Sequence, residues 1–304
     1  MLFCYSILWL LWSTRPVAET VPAAQPARQL RQQQELGWLL FYEPALSANG
    51  KRSCASCHRP QKAYTDHRAT ARAFRLAASL ERNTPTLLNA TDQRRFFHDG
   101  RAGSLSEVIE SVVTNPREFN TTYAAVARQL SQSREYRRRF RQAFAAPIGE
   151  PTINQALIAF LSSQQARNSP FDQYQRGQAA LPEPALRGLR VFTTAECGRC
   201  HPAPAFRDDQ LHQVQAGLLL KTPGLRNVAV TPPYGARGQH PTLAAAFADA
   251  FHQQATAHPL SDAEVQDLTA FLATLTDTTS LHLRSPQTLP ALPTLPDRTI
   301  GGVY

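Results

Sequence analysis

The residues with the clearest chemistry form two short clusters of cysteine and histidine. Each follows the pattern Cys-x-x-Cys-His, with Cys54, Cys57 and His58 in the first cluster and Cys197, Cys200 and His201 in the second. This spacing is typical of covalent haem attachment, in which both thiols form thioether bonds and the histidine binds the iron. A redox dithiol would need a βαβ context and no histidine, and a zinc site would have to close across the long segment between the clusters. The sequence therefore predicts two c-type haems.

The beginning of the chain is typical of an export signal. Residues 2–12 form an apolar run that is too short to span a bilayer. We predict a signal peptide over residues 1–23, with the cleavage point open between Ala18 and Ala27 and an uncleaved anchor as the alternative. Cys4 lies in this run, so the remaining four of the five cysteines all belong to the clusters, and none is left for a structural disulfide. We expect a periplasmic protein with no stable membrane insertion unless the signal stays uncleaved.

An internal repeat organises the rest of the chain. Residues 84–89, Thr-Pro-Thr-Leu-Leu-Asn, are echoed by Thr-Pro-Gly-Leu-Arg-Asn at 222–227, and at the same offset Gly100 matches Gly238 and Leu105 matches Leu243. Each copy begins with its cysteine cluster and later contains Ala-Phe-Leu. Such self-similarity indicates one domain that has been duplicated, with one haem in each copy.

The fold is predicted to be mostly α-helical, with two cytochrome c-like domains related by this duplication. Capping boxes at Ser104–Glu107 and Ser261–Glu264 open helices, and strand signals are sparse. The predicted units are an N-terminal domain over residues 28–177, a C-terminal domain over 178–283, and a proline-rich tail over 284–304 that we expect to wrap the surface.

The formal net charge of +9 raises the question of nucleic-acid binding. The densest basic run is 134–141, where Tyr136, Phe140 and Phe144 recur every four residues. This period predicts a helix with one buried stripe and a solvated basic face, so we expect no nucleic-acid partner. A patch that steers an acidic redox partner is the weaker alternative.

The sixth iron ligand decides what each haem can do. An iron with a protein ligand on both faces only passes electrons, whereas an open position can bind peroxide or oxygen. The single methionine of the chain is Met1, so no His-Met haem can form. Histidine, tyrosine, lysine or water remain as candidates.

Several motifs in order carry a specific resemblance. They are Phe-Tyr-Glu-Pro-Ala-Leu-Ser at 41–47, the first cysteine cluster, Ala-Tyr-Thr-Asp at 63–66, Arg-Asn-Thr-Pro-Thr-Leu-Leu-Asn at 82–89 and Asp-Gly-Arg at 99–101. From about Leu36 to Thr276 the chain resembles the bacterial di-haem cytochrome c peroxidase family, which includes the di-haem enzymes of methylamine utilisation.

The resemblance implies unequal roles for the two haems. The N-terminal haem would be peroxidatic, and the C-terminal haem would receive electrons from an external donor. Glu118, within an Asn-Pro segment, would be the distal acid-base residue. A calcium ion would bridge the domains through the side-chain oxygen of Asn83 and the backbone carbonyls of Thr231 and Pro233.

The chain also departs from the family pattern. His98 stands where a tryptophan between the haems is frequent, Val108 where a glutamine is expected, and Ala250 at the C-terminal ligand position. His98 could act as a relay, as a distal polar group or as a propionate partner. For the second iron we choose His252, with His240, His258 and Tyr234 as competitors, and we treat His67 as a surface residue.

Three functions remain open on the sequence alone. The leading one is a peroxidase that reduces hydrogen peroxide with electrons from a small cytochrome c or cupredoxin. The second is a di-haem oxidase that acts on a protein or organic substrate. The third is a pure electron carrier, against which Glu118 argues. Family members are often homodimers, but no interface can be identified from the sequence.

Overall fold

The computed structural model describes residues 27–75, 78–277, 279 and 284–303; the predicted signal peptide lies outside them. Helices account for nearly all of the regular structure, which confirms the predicted mostly α fold. The helices are α1 Ala27–Phe41, α2 Cys54–Cys57, α3 Leu105–Thr114, α4 Tyr123–Leu130, α5 Arg134–Phe144, α6 Glu150–Ser162, α7 Pro170–Gln175, α8 Glu183–Thr194, α9 Leu243–Phe247, α10 Ala250–Ala255 and α11 Asp262–Ala273. Short 3₁₀ turns cover Pro44–Leu46, Pro60–Lys62, Ala90–Asp92, Cys197–Arg199 and Val228–Val230, and one antiparallel hairpin is formed by β1 Leu211–Gln215 and β2 Leu218–Lys221.

Each copy is built on one tightly crossed pair of helices. A Cβ atom on Gly37 of α1 would lie 1.8 Å from the carbonyl oxygen of Ala156 on α6. A Cβ atom on Gly188 of α8 would lie 1.9 Å from the carbonyl oxygen of Asp267 on α11. Only glycine permits two helix backbones to approach so closely. The same crossing therefore occurs twice, as the duplication predicts.

The two helix pairs enclose separate hydrophobic cores. In the first copy Phe41 and Phe160 are each 1% exposed, with ring centroids 5.1 Å apart. In the second copy Phe192 and Phe271 occupy the matching helices, with centroids 5.3 Å apart. Burying one such ring stabilises the fold by roughly 1.5–3 kcal/mol, so each helix pair is held mainly by apolar contact.

The repeated Thr-Pro segment ends in an asparagine that fixes the chain after the last helix of each copy. Asn89 and Asn227 both have left-handed backbones, with φ of 55° and 62°. The side-chain oxygen of Asn89 accepts a hydrogen bond from the amide of Ala166 at 2.7 Å, and that of Asn227 accepts one from Asp277 at 2.8 Å. Asparagine tolerates this conformation better than most residues. The repeat thus specifies a tertiary contact in both copies.

The proline-rich tail packs into the N-terminal copy as well as over its surface. Leu292 is 1% exposed, and the guanidinium of Arg298 donates to the fully buried carboxylate of Glu43 at 2.6 Å. Glu43 also accepts a hydrogen bond from Tyr136 Oη at 2.6 Å. The hydroxyl of Ser56, inside the first cysteine cluster, donates to the carbonyl of Gly301 at 2.9 Å. The tail is therefore part of the support for the first cluster.

The basic helix α5 has the predicted two faces. Tyr136 and Phe140 are buried, whereas Arg134, Arg137, Arg138 and Arg141 are exposed. This solvated face needs no nucleic acid to explain its charge. Among the described residues, no helix is long and apolar enough to cross a membrane.

Candidate functional site

The first cysteine cluster lies on α2 and presents its histidine in a fixed orientation. Nδ1 of His58 is 3.0 Å from the carbonyl oxygen of Tyr64. A carbonyl can only accept, so Nδ1 carries the proton and Nε2 is the nitrogen available to a metal. Burial lowers the pKa of His58, which keeps the ring neutral as an iron ligand requires.

The second cluster repeats this arrangement on a 3₁₀ turn. Nδ1 of His201 donates to the carbonyl oxygen of Phe206 at 3.1 Å, which again directs Nε2 away as the ligand atom. Burial lowers the pKa of His201 to about 4. Tyr64 and Phe206 both have positive φ, at 61° and 54°, and this turn aims each carbonyl back at its histidine.

The surroundings of the clusters fit a bound haem. Cys54, Cys57, Cys197 and Cys200 are all half-buried free thiols. Buried polar atoms without a hydrogen-bond partner accompany both copies: Arg52 Nε and Thr84 Oγ1 in the first, Asn227 Nδ2 and His252 Nδ1 in the second. Buried polar groups are rarely left unpaired, so these atoms indicate a polar group that belongs beside them. Two thiols, one imidazole and unpaired donors in each copy are the set that a c-type haem with its propionates would use.

Glu118 lies in the loop that follows α3, held by its own neighbours. Asn115 Nδ2 donates to Glu118 Oε1 at 2.8 Å, and the backbone amide of Glu118 donates to the carbonyl of Asn115 at 3.0 Å. Burial raises the pKa of Glu118, against the lowering effects of Asn115 and the nearby Arg101 and Arg52. The charge of Glu118 also contributes to the raised pKa of Cys57, so the carboxyl group lies near the first cluster. This is the environment of a carboxyl group that can exchange protons.

His98 is anchored at the contact between the two copies. Its Nε2 donates to the carbonyl oxygen of Asn83 at 2.9 Å, and its own carbonyl accepts from the amide of Lys221 at 2.7 Å. Burial lowers the pKa of His98, so the ring is neutral. Of the three roles left open by the sequence, the structure shows His98 engaged with the backbone beside a predicted calcium ligand.

The three predicted calcium ligands lie in segments that touch. The amide of Asn83 donates to the carbonyl of Ala236 at 2.9 Å, and Ala236 belongs to the same loop as Thr231 and Pro233. Asn83 Nδ2 donates to the carbonyl of Arg68 at 2.6 Å, so Oδ1 is its atom for an ion. The fold therefore brings the segments that carry these three residues into contact, and neutral oxygen ligands of this kind would suit a hard cation.

Among the candidates for the sixth ligand of the second iron, the structure separates His252 from its competitors. His252 Nδ1 is buried and has no hydrogen-bond partner, and the ring lies close enough to His201 to lower its pKa. In contrast, His240 Nε2 is 3.3 Å from Asp249, His258 Nε2 is 3.1 Å from Glu264, and Tyr234 Oη donates to the carbonyl of Val228 at 3.0 Å. His252 is thus the candidate with a buried ring nitrogen that lacks a partner, and its ring lies near His201.

Sequence reasoning missed one residue beside the first cluster. Arg52 is 2% exposed, and its Nη2 lies 3.3 Å from Cys57 Sγ and 2.7 Å from the carbonyl of Arg72. A buried guanidinium normally needs an anion, and a haem propionate would provide one. The sequence offers one indication of this role: the basic pair Lys51-Arg52 lies just before the cluster, separated from it by Ser53, and has no acidic neighbour in the sequence.

The two copies also line a basic cleft of about 730 Å³ that the sequence did not predict. Its walls come from residues 94–103 of the first copy and from the segment after the second cluster, and they include Arg94, Arg101, Arg207 and Asp208. Near it, Cys200, Asp208 and His212 lie within 4.8 Å of one another, a spacing compatible with a metal ion. Because Cys200 is a predicted thioether position, its thiol is not free for that purpose.

The two domains have the architecture of c-type cytochromes, and comparison with known proteins agrees. Residues 31–180 match the family described as di-haem cytochrome c peroxidase, and residues 185–276 match cytochrome c. The chain belongs to the di-haem cytochrome c peroxidase family, so it is an oxidoreductase that carries two c-type haems.

Individual relatives place the chain among two kinds of protein. It is 32% identical to "Methylamine utilization protein MauG" of Methylorubrum extorquens, over 86% of this chain and 82% of the relative. It is 30% identical to "Cytochrome c551 peroxidase" of Nitrosomonas europaea, over 80% of this chain and 79% of the relative. A crystal structure described as a MauG-like protein associated with microbial copper homeostasis superimposes with a TM-score of 0.77 at 25% identity, covering 84% of this chain and 93% of that one.

Proposed function

We propose that the protein is a periplasmic peroxidase that reduces hydrogen peroxide to water with electrons from a small redox protein, a cytochrome c or a cupredoxin. Cys54 and Cys57 attach the first haem and His58 binds its iron. Cys197, Cys200 and His201 do the same for the second haem. The apolar run at residues 2–12 supports export to the periplasm.

One observation supports this proposal: the ionisable groups near the two clusters differ. After α3 the first copy has the half-buried carboxyl group of Glu118, whose pKa is raised by burial, whereas α10 of the second copy carries His252, whose buried Nδ1 has no hydrogen-bond partner. A carboxyl group can exchange protons with a bound ligand, and a second imidazole closes the iron. Peroxide would therefore react at the first haem, and the second would pass electrons to it.

Glu118 supplies the proton transfer that peroxide reduction needs. The haem provides the binding position for peroxide and the path for electrons. Glu118 takes the proton from the nearer peroxide oxygen and gives it to the departing oxygen, which leaves as water. Two electrons and two further protons complete the reduction to two water molecules. Asn115 holds Oε1 of Glu118 at 2.8 Å, which fixes the direction of the carboxyl group.

His98 and the calcium ligands serve the contact between the copies in this proposal. A calcium ion held by Asn83, Thr231 and Pro233 would tie the loop before the first Thr-Pro segment to the second copy. His98 donates to the carbonyl of Asn83 at 2.9 Å, so it orients that ligand segment. His98 thereby influences electron transfer through position rather than by contact with peroxide.

The decisive variant is Glu118→Gln, which keeps the shape but removes the proton exchange. We expect the rate of peroxide reaction to fall by about 10²–10⁴-fold, measured by stopped-flow absorption and by turnover with a reduced small cytochrome. Glu110→Gln is the matched control, because Glu110 is an exposed carboxylate on the neighbouring helix α3. Full activity of Glu118→Gln, or two haems that never respond to peroxide, would refute the proposal.

The pH dependence tests the same residue. Only the carboxylate form of Glu118 can accept a proton, and burial raises the pKa of Glu118 above its usual 4.5. The rate should therefore fall as the pH is lowered through that raised pKa, and this acid limb should be absent from the residual activity of Glu118→Gln.

A second function is favoured by His98, which occupies a position where tryptophan is frequent in the family. The identity to a MauG protein, 32%, is as high as that to the peroxidases. The alternative is a di-haem oxidase that uses peroxide to oxidise a protein or organic substrate. Rapid peroxide reaction without turnover of any reduced donor would favour this alternative.

The predicted homodimer is a separate question, and light scattering of the same preparation tests it.

A further inference from the structure

The two copies differ in their oxidisable aromatic residues at equivalent positions. The packing glycines Gly37 and Gly188 align α1 with α8. This alignment pairs Trp38 with Leu189, Phe41 with Phe192 and Tyr42 with Thr193. In the loop after each cluster, Tyr64 stands where the second copy has Phe206, and both carbonyls accept from the histidine of their cluster. At these positions, only the first copy has side chains that readily lose an electron.

These side chains form a continuous path in the first copy. The ring of Tyr64 is 5.8 Å from that of Phe41, which is 5.5 Å from that of Tyr42, and Tyr42 is 6.5 Å from Trp38, centroid to centroid. Tyr64 and Tyr42 are 0% and 3% exposed. Trp38 is half-buried, and its indole nitrogen donates at the surface to the carbonyl of Arg284 at 3.2 Å. The path therefore runs from the interior to solvent.

The inner end of the path is tied to the predicted iron ligand. The carbonyl of Tyr64 accepts the Nδ1 proton of His58, so the tyrosine backbone is one hydrogen bond from the imidazole. The phenol of Tyr64 donates to Gln164 Oε1 at 2.6 Å. This short hydrogen bond gives the phenolic proton a place to stay when the ring is oxidised. Tyr42 Oη, farther out, lies 3.5 Å from the same Arg284 carbonyl that Trp38 contacts.

We propose that Tyr64, Tyr42 and Trp38 carry one-electron oxidising equivalents from the first haem to the protein surface, where a small one-electron reductant is oxidised at Trp38. The inference rests on the proposed function, because peroxide reacting at the first haem is the oxidant. Phe41 is not itself oxidised; its ring packs between the two tyrosines and keeps them in contact.

The electron transfers along this path balance. One electron leaves Tyr64 for the oxidised haem while its phenolic proton is retained in the hydrogen bond to Gln164. Tyr42 returns an electron to Tyr64 while its own phenolic proton is retained in the hydrogen bond to the carbonyl of Arg284. Trp38 returns an electron to Tyr42 and keeps its indole proton as a radical cation. A reductant such as ascorbate or a simple phenol then restores Trp38 by giving one electron to the half-buried indole. No covalent bond between heavy atoms of the protein forms or breaks. In the net reaction, the reductant loses one electron and the haem gains one.

The second copy shows why the path is not a by-product of core packing. Its equivalent core is filled by Phe171, Phe192, Phe206 and Phe271, with neighbouring centroids 5.3–6.3 Å apart. Phenylalanine fills the position of Tyr64 in the second copy, and leucine and threonine fill those of Trp38 and Tyr42, so the fold does not require oxidisable side chains there. The tyrosines and the tryptophan occur in the copy where peroxide is proposed to react.

The test treats the haem-loaded protein with hydrogen peroxide in the absence of any electron donor. Peptide mass spectrometry measures oxygen addition at Trp38, and electron paramagnetic resonance of frozen samples detects aromatic radicals. We expect Trp38 to be oxidised in the wild type and protected by ascorbate. Tyr64→Phe and Tyr42→Phe should lose both the radical and the Trp38 oxidation, whereas the control Tyr174→Phe, a partly exposed tyrosine of α7, should keep them.

Haem absorption recorded in the same mixtures separates the two proposals. A peroxide response of the haem with Trp38 oxidation unchanged in Tyr64→Phe and Tyr42→Phe would overturn the path and leave the peroxidase intact. Absence of any haem response to peroxide would overturn both. Trp38→Phe should in addition bleach its haem faster under peroxide than the wild type, because the outlet for oxidising equivalents is closed; equal bleaching would contradict the proposal.

Discussion

At the scale of single residues, the two clusters hold their histidines in the same way and differ in the other ionisable groups near them. His58 and His201 each donate from Nδ1 to a carbonyl five or six residues onward, at 3.0 and 3.1 Å. This hydrogen bond would increase the basicity of Nε2, the proposed ligand nitrogen, in both copies alike. The difference in chemistry must therefore come from Glu118 and His252, which have no common counterpart.

His252 carries the residue-scale prediction. Replacing His252 with alanine should open the second iron, which changes its ferric form from low spin to high spin and raises its reduction potential. Absorption and electron paramagnetic resonance spectra of the purified haem protein measure the change. His258→Ala is the control, because His258 is a partly exposed residue paired with Glu264 at 3.1 Å. Unchanged spectra in His252→Ala would show that another group, or none, binds this iron.

At the scale of elements, the crossing glycines determine how closely the two helices of each copy can pack. Helices α1 and α6 touch backbone to backbone at Gly37, and α8 and α11 do so at Gly188. The clusters follow α1 and α8 closely in the chain, so a shift of either helix would move its histidine and the carbonyl that orients it. The helix crossing and the haem site are thus coupled through a short connection.

A Cβ atom at either crossing should therefore be costly. Gly37→Ala and Gly188→Ala should each destabilise the protein by about 1–3 kcal/mol, because the methyl group forces the helices apart. Thermal unfolding of the haem-loaded protein, followed by circular dichroism, measures the loss. Gly103→Ala is the control, since a Cβ atom there would meet only Glu107, at 3.9 Å. Equal melting of all three variants would mean that the helices adjust without cost.

At the scale of the whole molecule, local patterns predicted the parts and missed the contacts that join them. The cysteine spacing, the Thr-Pro repeat and the capping boxes are local, so the duplicated helical fold and the histidines were predictable. Arg298 forms an ion pair with Glu43, which lies 255 residues earlier in the chain. The guanidinium of Arg52 contacts the Sγ atom of Cys57. Neither contact leaves a periodic signal. Their partners are chosen by burial of charge, which depends on the assembled fold.

The joint between the copies is the last feature that depends on the whole molecule. The amide of Asn83 donates to Ala236, and the ring of His98 holds the carbonyl of Asn83, so segments of both copies converge on the predicted calcium ligands. If the ion is present, its removal should loosen this joint and slow electron transfer between the haems without releasing either one. Because the haems are proposed to be attached covalently to the cysteines, chelation would act on geometry alone.

Chelation with EGTA should therefore lower the peroxidase rate reversibly, and calcium should restore it better than magnesium, which demands a tighter octahedral site. Metal analysis of the untreated protein should find calcium, and Asn83→Ala should bind it more weakly. Asn168→Ala, at an exposed asparagine, is the matched control. A protein that contains no calcium, or an Asn83→Ala variant that binds the ion as the wild type does, would show that the copies are held by the hydrogen bonds of Asn83 and His98 without a metal.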